Sequence, residues 1–97
     1  DDKEGYKVKE LVIEPGRSLS MQRHKDRAEH WYVLKGQCEI ETEWNDVVDR
    51  QTIEQHKTYR IDQQVWHRGI NNTDKPCHIL EVQYGSRCVE EDIERRK

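Results

Sequence analysis

The sequence predicts an all-β domain that closes into a jelly roll or barrel. Short runs in which apolar and polar residues alternate recur at close spacing, and Gly, Pro, Asn and Asp residues separate them. Only residues 89–96 could form a helical turn, so the pattern lacks the alternating strands and helices of an α/β fold. A chain of 97 residues has room for one hydrophobic core, and residues 1–97 are therefore predicted to be a single domain.

The first half of the chain contains four predicted strands. The first ends at the turn pair Pro15-Gly16, and the fourth ends at Asn45-Asp46, a turn signal typical of a hairpin. The polar residues 25–28 predict a turn between the second strand and the third. In chain order, the four strands cover residues 6–13, 18–24, 29–35 and 37–44.

The second half of the chain is less regular. Residues 47–58 are too polar for a central strand and lack helical spacing, which favours an edge strand followed by a loop. Three short strands follow, and a run of turn-forming residues, 71–76, separates the last two. These strands cover residues 59–61, 66–71 and 77–84.

The composition limits both the core and the partners. Apolar residues make up 32% of the chain, charged residues 38%, and Phe is absent, so the interior must be thin. The net charge of -3 is mild and the two signs are interleaved, which argues against a nucleic-acid partner. No apolar run of about 18 residues occurs, so no membrane segment is expected. These features predict a cytoplasmic protein.

A thin core usually needs a disulfide, a metal or a partner subunit. The cysteines are Cys38, Cys77 and Cys88, an odd number at wide spacing without a C-x-x-C pair, which predicts reduced thiols and not a disulfide or a zinc-thiolate site. The thin core also implies association, because so small a barrel cannot bury all of its large side chains. A homodimer is predicted, with outward contacts drawn from Tyr32, Leu34, Trp44 and Trp66.

Four potential metal ligands occur at informative positions. Gln22 and His24 are two residues apart on a predicted strand, so their side chains leave the same face about 6.6 Å apart. Glu29 follows a four-residue turn and can face back toward His24, while His67 could close the site from a later strand if the sheet curls. Two imidazoles, an amide and one carboxylate suit a single divalent ion. Zinc ranks first, with manganese, cobalt or iron as alternatives.

Residues 22–31 read Q-x-H-x-x-R-x-E-H-W, preceded by Pro15-Gly16 and Leu19-Ser20-Met21. The segment resembles the first cupin motif, and in particular the cupin domain of type II mannose-6-phosphate isomerases, in which Gln is the usual first ligand. The resemblance covers essentially the whole chain and implies a cupin double-stranded β-helix. Its later matches are His67-Arg68 with Asn71, Glu81-Val82-Gln83, and Glu91-Asp92-Ile93 with Arg95.

The resemblance also implies roles for single residues. Gln22, His24, Glu29 and His67 match the metal ligands of the family, and Arg27 and Arg68 match basic positions that border its sugar-phosphate pocket. A guanidinium can hold phosphate oxygens through two parallel hydrogen bonds, although surface ion pairing would explain either arginine equally well. Lys25 lies next to the ligands, in the turn, and is a further candidate for substrate contact.

The second cupin motif departs from the family pattern. The family has Gly, Pro and Gly where this chain has His56, Asp62 and Gln64, so the loop that delivers His67 is expected to be displaced. The Arg-Pro-Trp-Gly segment of the family is not among the residues given. Many relatives also carry an N-terminal pyrophosphorylase domain, and that activity is not expected of these residues.

The resemblance implies a metal-dependent isomerase that interconverts mannose 6-phosphate and fructose 6-phosphate. Arg27 and Glu81 are the candidate catalytic residues. Glu81 could carry the proton if its strand face, which it shares with Ile79 and Gln83, points inward, but an outward orientation is favoured. Two alternatives remain open: a non-catalytic module that binds a metal and a sugar, and a cupin enzyme that acts on another sugar or on a nucleotide sugar.

Overall fold

Two five-stranded antiparallel sheets face each other in the computed structural model, which describes residues 2–3, 5–85 and 93–96. The first sheet has the strand order β1-β2-β9-β4-β7, and the second has the order β10-β3-β8-β5-β6. The all-β prediction is confirmed. The strands are β1 (Asp2–Lys3), β2 (Tyr6–Ile13), β3 (Met21–Arg23), β4 (Arg27–Lys35), β5 (Cys38–Trp44), β6 (Val47–Ile53), β7 (Thr58–Ile61), β8 (Trp66–Ile70), β9 (Cys77–Gly85) and β10 (Glu94–Arg96).

The two-residue alternation of the sequence reappears as burial on the central strands. On β9, Cys77, Ile79, Glu81 and Gln83 are buried, and the residues between them are only partly covered. Because successive side chains leave a strand on opposite faces, one face of β9 points between the sheets and the other points outward. Strand β4 lies between β9 and β7 in the same sheet. Its alternate residues Glu29, Trp31 and Val33 are buried, so they also point inward.

The interior has an apolar part and a polar part. The apolar part is small, as the composition predicts, and holds one tryptophan in contact with aliphatic and thiol side chains. Gly69 makes this packing possible, because a Cβ at that position would lie 2.7 Å from Cδ1 of Ile13 and 3.2 Å from the Trp31 ring. The buried members are Ile13, Trp31, Val33, Cys38, Ile40, Ile53, Ile61, Cys77 and Ile79.

Two local predictions were wrong. The turn assigned to residues 25–28 is shorter, because β4 already begins at Arg27, where pairing with Gly85 of β9 continues the ladder. The C-terminal residues Glu94–Arg96 form a strand and not a helical turn, because the edge of β3 offers unpaired backbone groups to them. Of that predicted turn, residues 89–92 lie outside the described residues, as does Cys88.

The remaining elements agree with the sequence. Strand β6 is an exposed edge strand followed by a turn, as expected for residues 47–58. Cys38 and Cys77 are free thiols buried in the core, in agreement with the prediction of reduced cysteines. In the part of the chain that the structure describes, no helix is long and apolar enough to cross a membrane.

Candidate metal centre

The polar part of the interior is built from β3, β4, β8 and the segment after β3. Gln22 on β3 lies directly opposite His67 on β8 in the strand register, so the two side chains leave the same face as neighbours. Glu29 projects inward from β4 in the opposing sheet, and His24 follows the last residue of β3. His67 thus meets His24 and Glu29, which precede it by about 40 residues, because the two sheets face each other.

Three of these side chains are in direct contact. One carboxylate oxygen of Glu29 lies 2.8 Å from Nε2 of His24, and the other lies 3.4 Å from Nε2 of His67. A ligand atom from each of the three residues falls within 4.8 Å of the other two, and all three residues are buried. Two imidazole nitrogens and a carboxylate at this spacing fit a divalent ion of the zinc, manganese or iron type.

Hydrogen bonds outside the cluster orient these groups. Nδ1 of His67 lies 3.0 Å from the carbonyl oxygen of Val65, so this nitrogen donates there and the ring is held with Nε2 facing the Glu29 carboxylate. The amide nitrogen of Gln22 donates to the carbonyl oxygen of Ser20 at 3.3 Å, which leaves its side-chain oxygen as the free ligand atom. The four predicted ligands therefore present an amide oxygen, a carboxylate and two imidazole nitrogens.

A second carboxylate lies beside the cluster. Nε1 of Trp31 donates both to Glu29, at 2.9 Å, and to Glu81, at 3.1 Å, while the amide of Gln83 donates to Glu81 at 2.6 Å. Glu81 is 4% exposed, so the outward orientation favoured from the sequence was wrong. The reason is the register of β9, which places Glu81 opposite Trp31 and Gln83 opposite Glu29 on the inner face.

The two carboxylates differ in their protonation. Burial raises the pKa of Glu29, but hydrogen bonds with His24 and His67 outweigh burial and hold the pKa well below its usual range. Burial also lowers the pKa of His67, yet its hydrogen bond to Glu29 and the charge on Glu29 raise that pKa overall. For Glu81, burial and the neighbouring charge of Glu29 act together and raise the pKa to about 7. An ionised carboxylate and one that is only about half ionised therefore lie side by side near neutral pH.

Arg27 belongs to this cluster. It is buried on the inner face of β4, with one guanidinium nitrogen 3.1 Å from Nε2 of His24 and another 3.7 Å from the Glu29 carboxylate. The sequence placed Arg27 in a turn at the border of a pocket. The structure places it inside the strand pair, where its charge offsets that of Glu29.

The other two predicted substrate contacts are not brought to the cluster. Arg68 follows His67 on β8 and therefore points to the outer face, where it donates to Glu41 at 3.2 Å beside Arg50. The expectation that Arg68 borders the same pocket was wrong for that reason. Lys25 is exposed in the turn before β4.

Sequence reasoning missed a lysine that does reach this region. Nζ of Lys9 lies 3.8 Å from the Glu81 carboxylate, because Lys9 is opposite Glu81 in the pairing of β2 with β9. The signal was present in the sequence, since Lys9 shares its strand face with Leu11 and Ile13. A charged residue in phase with core residues indicates an inward side chain.

The altered second motif does not displace His67. His56 and Gln64 adopt φ values of 68° and 66°, the left-handed conformation that Gly would take at the family positions. The backbone N–H of Gln64 donates to the carbonyl oxygen of His24 at 2.7 Å, which fixes the loop before β8 against the segment after β3. The turn is thus rebuilt without Gly and still delivers His67 to Glu29.

A double-stranded β-helix with a His, Glu and His cluster between its sheets is a cupin with a candidate metal centre. Residues 1–97 match the family described as mannose-6-phosphate isomerase C-terminal, and the chain belongs to that family. The resemblance and the fold inferred from the sequence are confirmed.

Individual proteins of similar sequence also carry names from mannose metabolism or polysaccharide biosynthesis. The chain is 41% identical over 90 residues to the alginate biosynthesis protein AlgA of Pseudomonas putida, covering 93% of this chain and 18% of that protein. It is 35% identical over 95 residues to a putative mannose-1-phosphate guanylyltransferase of Vibrio cholerae, covering 98% of this chain and 20% of that one.

Among solved structures, a Klebsiella pneumoniae protein with a double-stranded beta-helix domain superimposes with a TM-score of 0.79 at 15% identity, over 98% of this chain and 77% of its own. This similarity shows the fold alone. The chain spans about a fifth of the length of the curated relatives it matches.

Proposed function

We propose that this chain is a metal-dependent isomerase that interconverts mannose 6-phosphate and fructose 6-phosphate. The observation that carries the proposal is the buried cluster of His24, Glu29 and His67 with the second carboxylate of Glu81 beside it. Membership of the mannose-6-phosphate isomerase C-terminal family supports the same reaction.

Gln22, His24, Glu29 and His67 would hold one divalent ion, with zinc proposed first. When bound, such an ion stabilises negative charge on the two adjacent oxygens of an enediolate, which contributes several kcal/mol to barrier lowering. The hydrogen bonds of His24 and His67 keep the Glu29 carboxylate ionised, and Arg27 lies 3.7 Å from the same carboxylate. The buried setting of these residues excludes bulk water from the reacting atoms.

Aldose to ketose conversion moves a proton between two neighbouring carbons, so it needs a group that both accepts and donates near neutral pH. The raised pKa of Glu81, about 7, gives it that property. Trp31 and Gln83 fix the orientation of its carboxyl group through two hydrogen bonds. We assign the proton transfer to Glu81.

The test is an isomerase assay on the zinc-loaded chain with mannose 6-phosphate and fructose 6-phosphate. Turnover is expected in both directions, with loss on chelation and in His24→Ala. Glu81→Gln should lower kcat by roughly 100-fold or more, within the range for general acid–base catalysis, and leave the metal content unchanged. A fully metal-loaded protein that turns over neither sugar phosphate would exclude the proposal.

The competing candidate is a non-catalytic module that binds a metal and a sugar. Its supporting observation is the altered second motif, in which His56, Asp62 and Gln64 stand where the family has Gly, Pro and Gly. Thermal stabilisation by mannose 6-phosphate without turnover would select this candidate. Turnover of a nucleotide sugar instead would select the third possibility, a cupin enzyme with another substrate.

A further inference from the structure

The position of Arg68 leaves a sugar phosphate without its expected partner. Arg68 lies on the outer face of the second sheet and is paired with Glu41, while Arg27 is buried against His24 and Glu29. A phosphate dianion needs positive side chains on the inner face that also reach solvent. Strand β2 supplies them.

Lys7 and Lys9 lie on the inner face of β2. Lys7 is opposite Gln83, and Lys9 is opposite Glu81, and both of these β9 residues are buried between the sheets. The side chain of Lys9 is 37% exposed although Glu81 beside it is buried, so Lys9 connects a buried carboxyl group with the solvent. Both lysines alternate with the outward residues of β2, in phase with Leu11 and Ile13.

The register gives the distance from these lysines to the candidate ligands. Lys7, Gln83 and Glu29 form one cross-strand row over β2, β9 and β4. Two strand spacings separate the backbones of Lys7 and Glu29 by about 10 Å, a distance that a six-carbon sugar phosphate and a lysine side chain can span together. A substrate with its reacting carbons near Glu29 would therefore place its other end at β2.

The charges agree with this placement. Glu29 and Glu81 are the two inward acids of the region, and Arg27, Lys7 and Lys9 are its inward bases. The three bases exceed the two acids by one positive charge, a divalent ion at the cluster would raise the surplus to three, and an anionic group on the ligand would offset part of it.

We propose that Lys7 and Lys9 form the phosphate subsite of this cupin, at the β2 edge of the pocket. The inference rests on the proposed function for the identity of the ligand, but it makes a separate claim about where the phosphate binds. Ammonium groups bind phosphate as mobile point charges, which suits a partly exposed edge.

The experiment measures binding and turnover separately. Calorimetry on the zinc-loaded chain gives the affinity for mannose 6-phosphate, for mannose and for inorganic phosphate, and an isomerase assay is run on the same preparation. Lys7→Gln and Lys9→Gln are each expected to weaken mannose 6-phosphate binding by roughly tenfold, the value of a hydrogen bond to a charged group, without loss of zinc. Lys9→Arg should restore most of the affinity. Any affinity for mannose should be unchanged.

Two controls separate the subsite from general charge effects. Lys57→Gln removes an exposed lysine in the turn before β7, and Arg68→Gln removes the outer-face arginine. Both should bind mannose 6-phosphate within about twofold of the unaltered chain, below the tenfold effect of a charged contact.

The binding and turnover measurements distinguish a phosphate subsite from a structural role of the two lysines. Lysine variants that bind mannose 6-phosphate normally, or an unaltered chain that binds no phosphate compound, would overturn the subsite. Equal weakening of mannose and mannose 6-phosphate would also overturn it, since it indicates a structural role. Binding that depends on the lysines but comes without turnover supports the subsite and rejects only the isomerase proposal.

Discussion

Glu29 lies between two imidazoles, with one carboxylate oxygen directed at His24 and the other at His67. Such a carboxylate loses its hydration on folding, and the ring nitrogens and the indole of Trp31 replace the water. The same arrangement points one ring nitrogen of each histidine and the Glu29 carboxylate toward one place, where a bound cation would take the position of the ring protons. Single substitutions test whether a cation binds there.

His67→Gln is expected to weaken zinc binding by about 100-fold or more, because loss of even an outer hydrogen-bond partner of a ligand costs 10- to 100-fold. The measurement is metal content after dialysis against a competing chelator. His30→Gln is the matched control, since His30 is next to Glu29 on β4 but exposed. Equal zinc retention in the two variants would contradict the assigned site.

The raised pKa of Glu81 predicts a pH-dependent stability for the metal-free chain. The pKa of Glu81 rises from 4.5 in the unfolded chain to about 7 in the folded chain. The folded state is therefore most stable, relative to the unfolded state, below pH 4.5, and it loses stability as the pH rises from 4.5 to about 7. Glu81→Gln should therefore stabilise the metal-free chain at pH 8 by on the order of 3 kcal/mol.

The difference should shrink as the pH falls toward 4, where Glu81 is protonated in both states. Urea unfolding of both proteins in the presence of a chelator at pH 8, 6 and 4.5 provides the measurement. A constant difference across this range would show that Glu81 does not titrate as described.

The loop before β8 contains a residue with a side chain in a backbone conformation that favours Gly. Gln64 takes φ 66°, a conformation that costs a residue with a Cβ about 1–2 kcal/mol, and its N–H holds the carbonyl of His24. Function depends on this loop because it precedes His67. The chain tolerates the strain because contacts elsewhere fix the loop.

Gln64→Gly should raise the free energy of unfolding by about 0.5–1 kcal/mol, because the relief of strain exceeds the added freedom of the unfolded chain. The neighbour Gln63 has no positive φ, so Gln63→Gly should lower stability by about the same amount. Chemical denaturation of the two variants compares the signs directly. If both substitutions raised the stability, or both lowered it, backbone conformation would not explain the effect.

The end of β9 depends on a glycine for close approach to β4. A Cβ on Gly85 would lie 2.3 Å from the carbonyl oxygen of Asp26 and 2.9 Å from Cα of Arg27. Gly85→Ala is therefore expected to cost about 3 kcal/mol and to weaken metal binding, because the start of β4 must move.

The control for this variant is Gly16→Ala, where φ is 74° but no atom lies within 4 Å of the added methyl group. This variant should lose only about 1 kcal/mol of stability, because alanine is unfavourable at this positive φ, and its metal affinity should be unchanged. Thermal denaturation and zinc titration would measure both effects. Similar losses in the two variants would argue against a steric cause at Gly85.

At the scale of the molecule, the two outer faces differ in character. The outer face of the second sheet has paired charges, such as Arg23 with Glu94 and Glu41 with Arg50. The outer face of the first sheet has partly exposed apolar side chains, among them Tyr32, Leu34, Val8, Leu80, Val82 and Val12.

We propose that a second copy of the chain covers the first sheet. Three of its strands, β2, β9 and β4, are 8 or 9 residues long and lie about 4.8 Å apart, so they present a face of roughly 400 Å², about half of the 800 Å² that each partner of a standard interface buries. Tyr32 and Leu34 were expected among the dimer contacts. Trp66 lies under the guanidinium of Arg23 at 4.7 Å, and Trp44 is 53% exposed on the β5–β6 hairpin.

Light scattering at micromolar concentration should give the mass of two chains. Leu80→Glu is expected to produce a monomer, whereas Val48→Glu, at an exposed position on the hairpin, should leave the dimer intact. A monomeric unaltered chain would exclude the proposal, and the opposite response of the two variants would move the interface to the hairpin. The cytoplasmic location and the lack of a nucleic-acid partner stay predictions from the sequence.

The amino-acid sequence alone predicts the all-β class, most strand positions and the cluster that contains His24, Glu29 and His67. The strands follow from local information, since alternation with a period of two marks a strand, and the short turn between β3 and β4 brings His24 and Glu29 together across the two facing sheets. The family motif added His67, which no local spacing connects to Glu29.

Which face of each strand points inward is visible only in the folded chain. Alternation separates two faces of a strand but does not say which one meets the opposing sheet, and so Glu81 and Lys9 were found inside and Arg68 outside. The pairing of β10 with β3 and the left-handed turns at His56 and Gln64 depend in the same way on partners far along the chain. The physical reason is that burial is set by contact between the two sheets, and a single strand does not contain that contact.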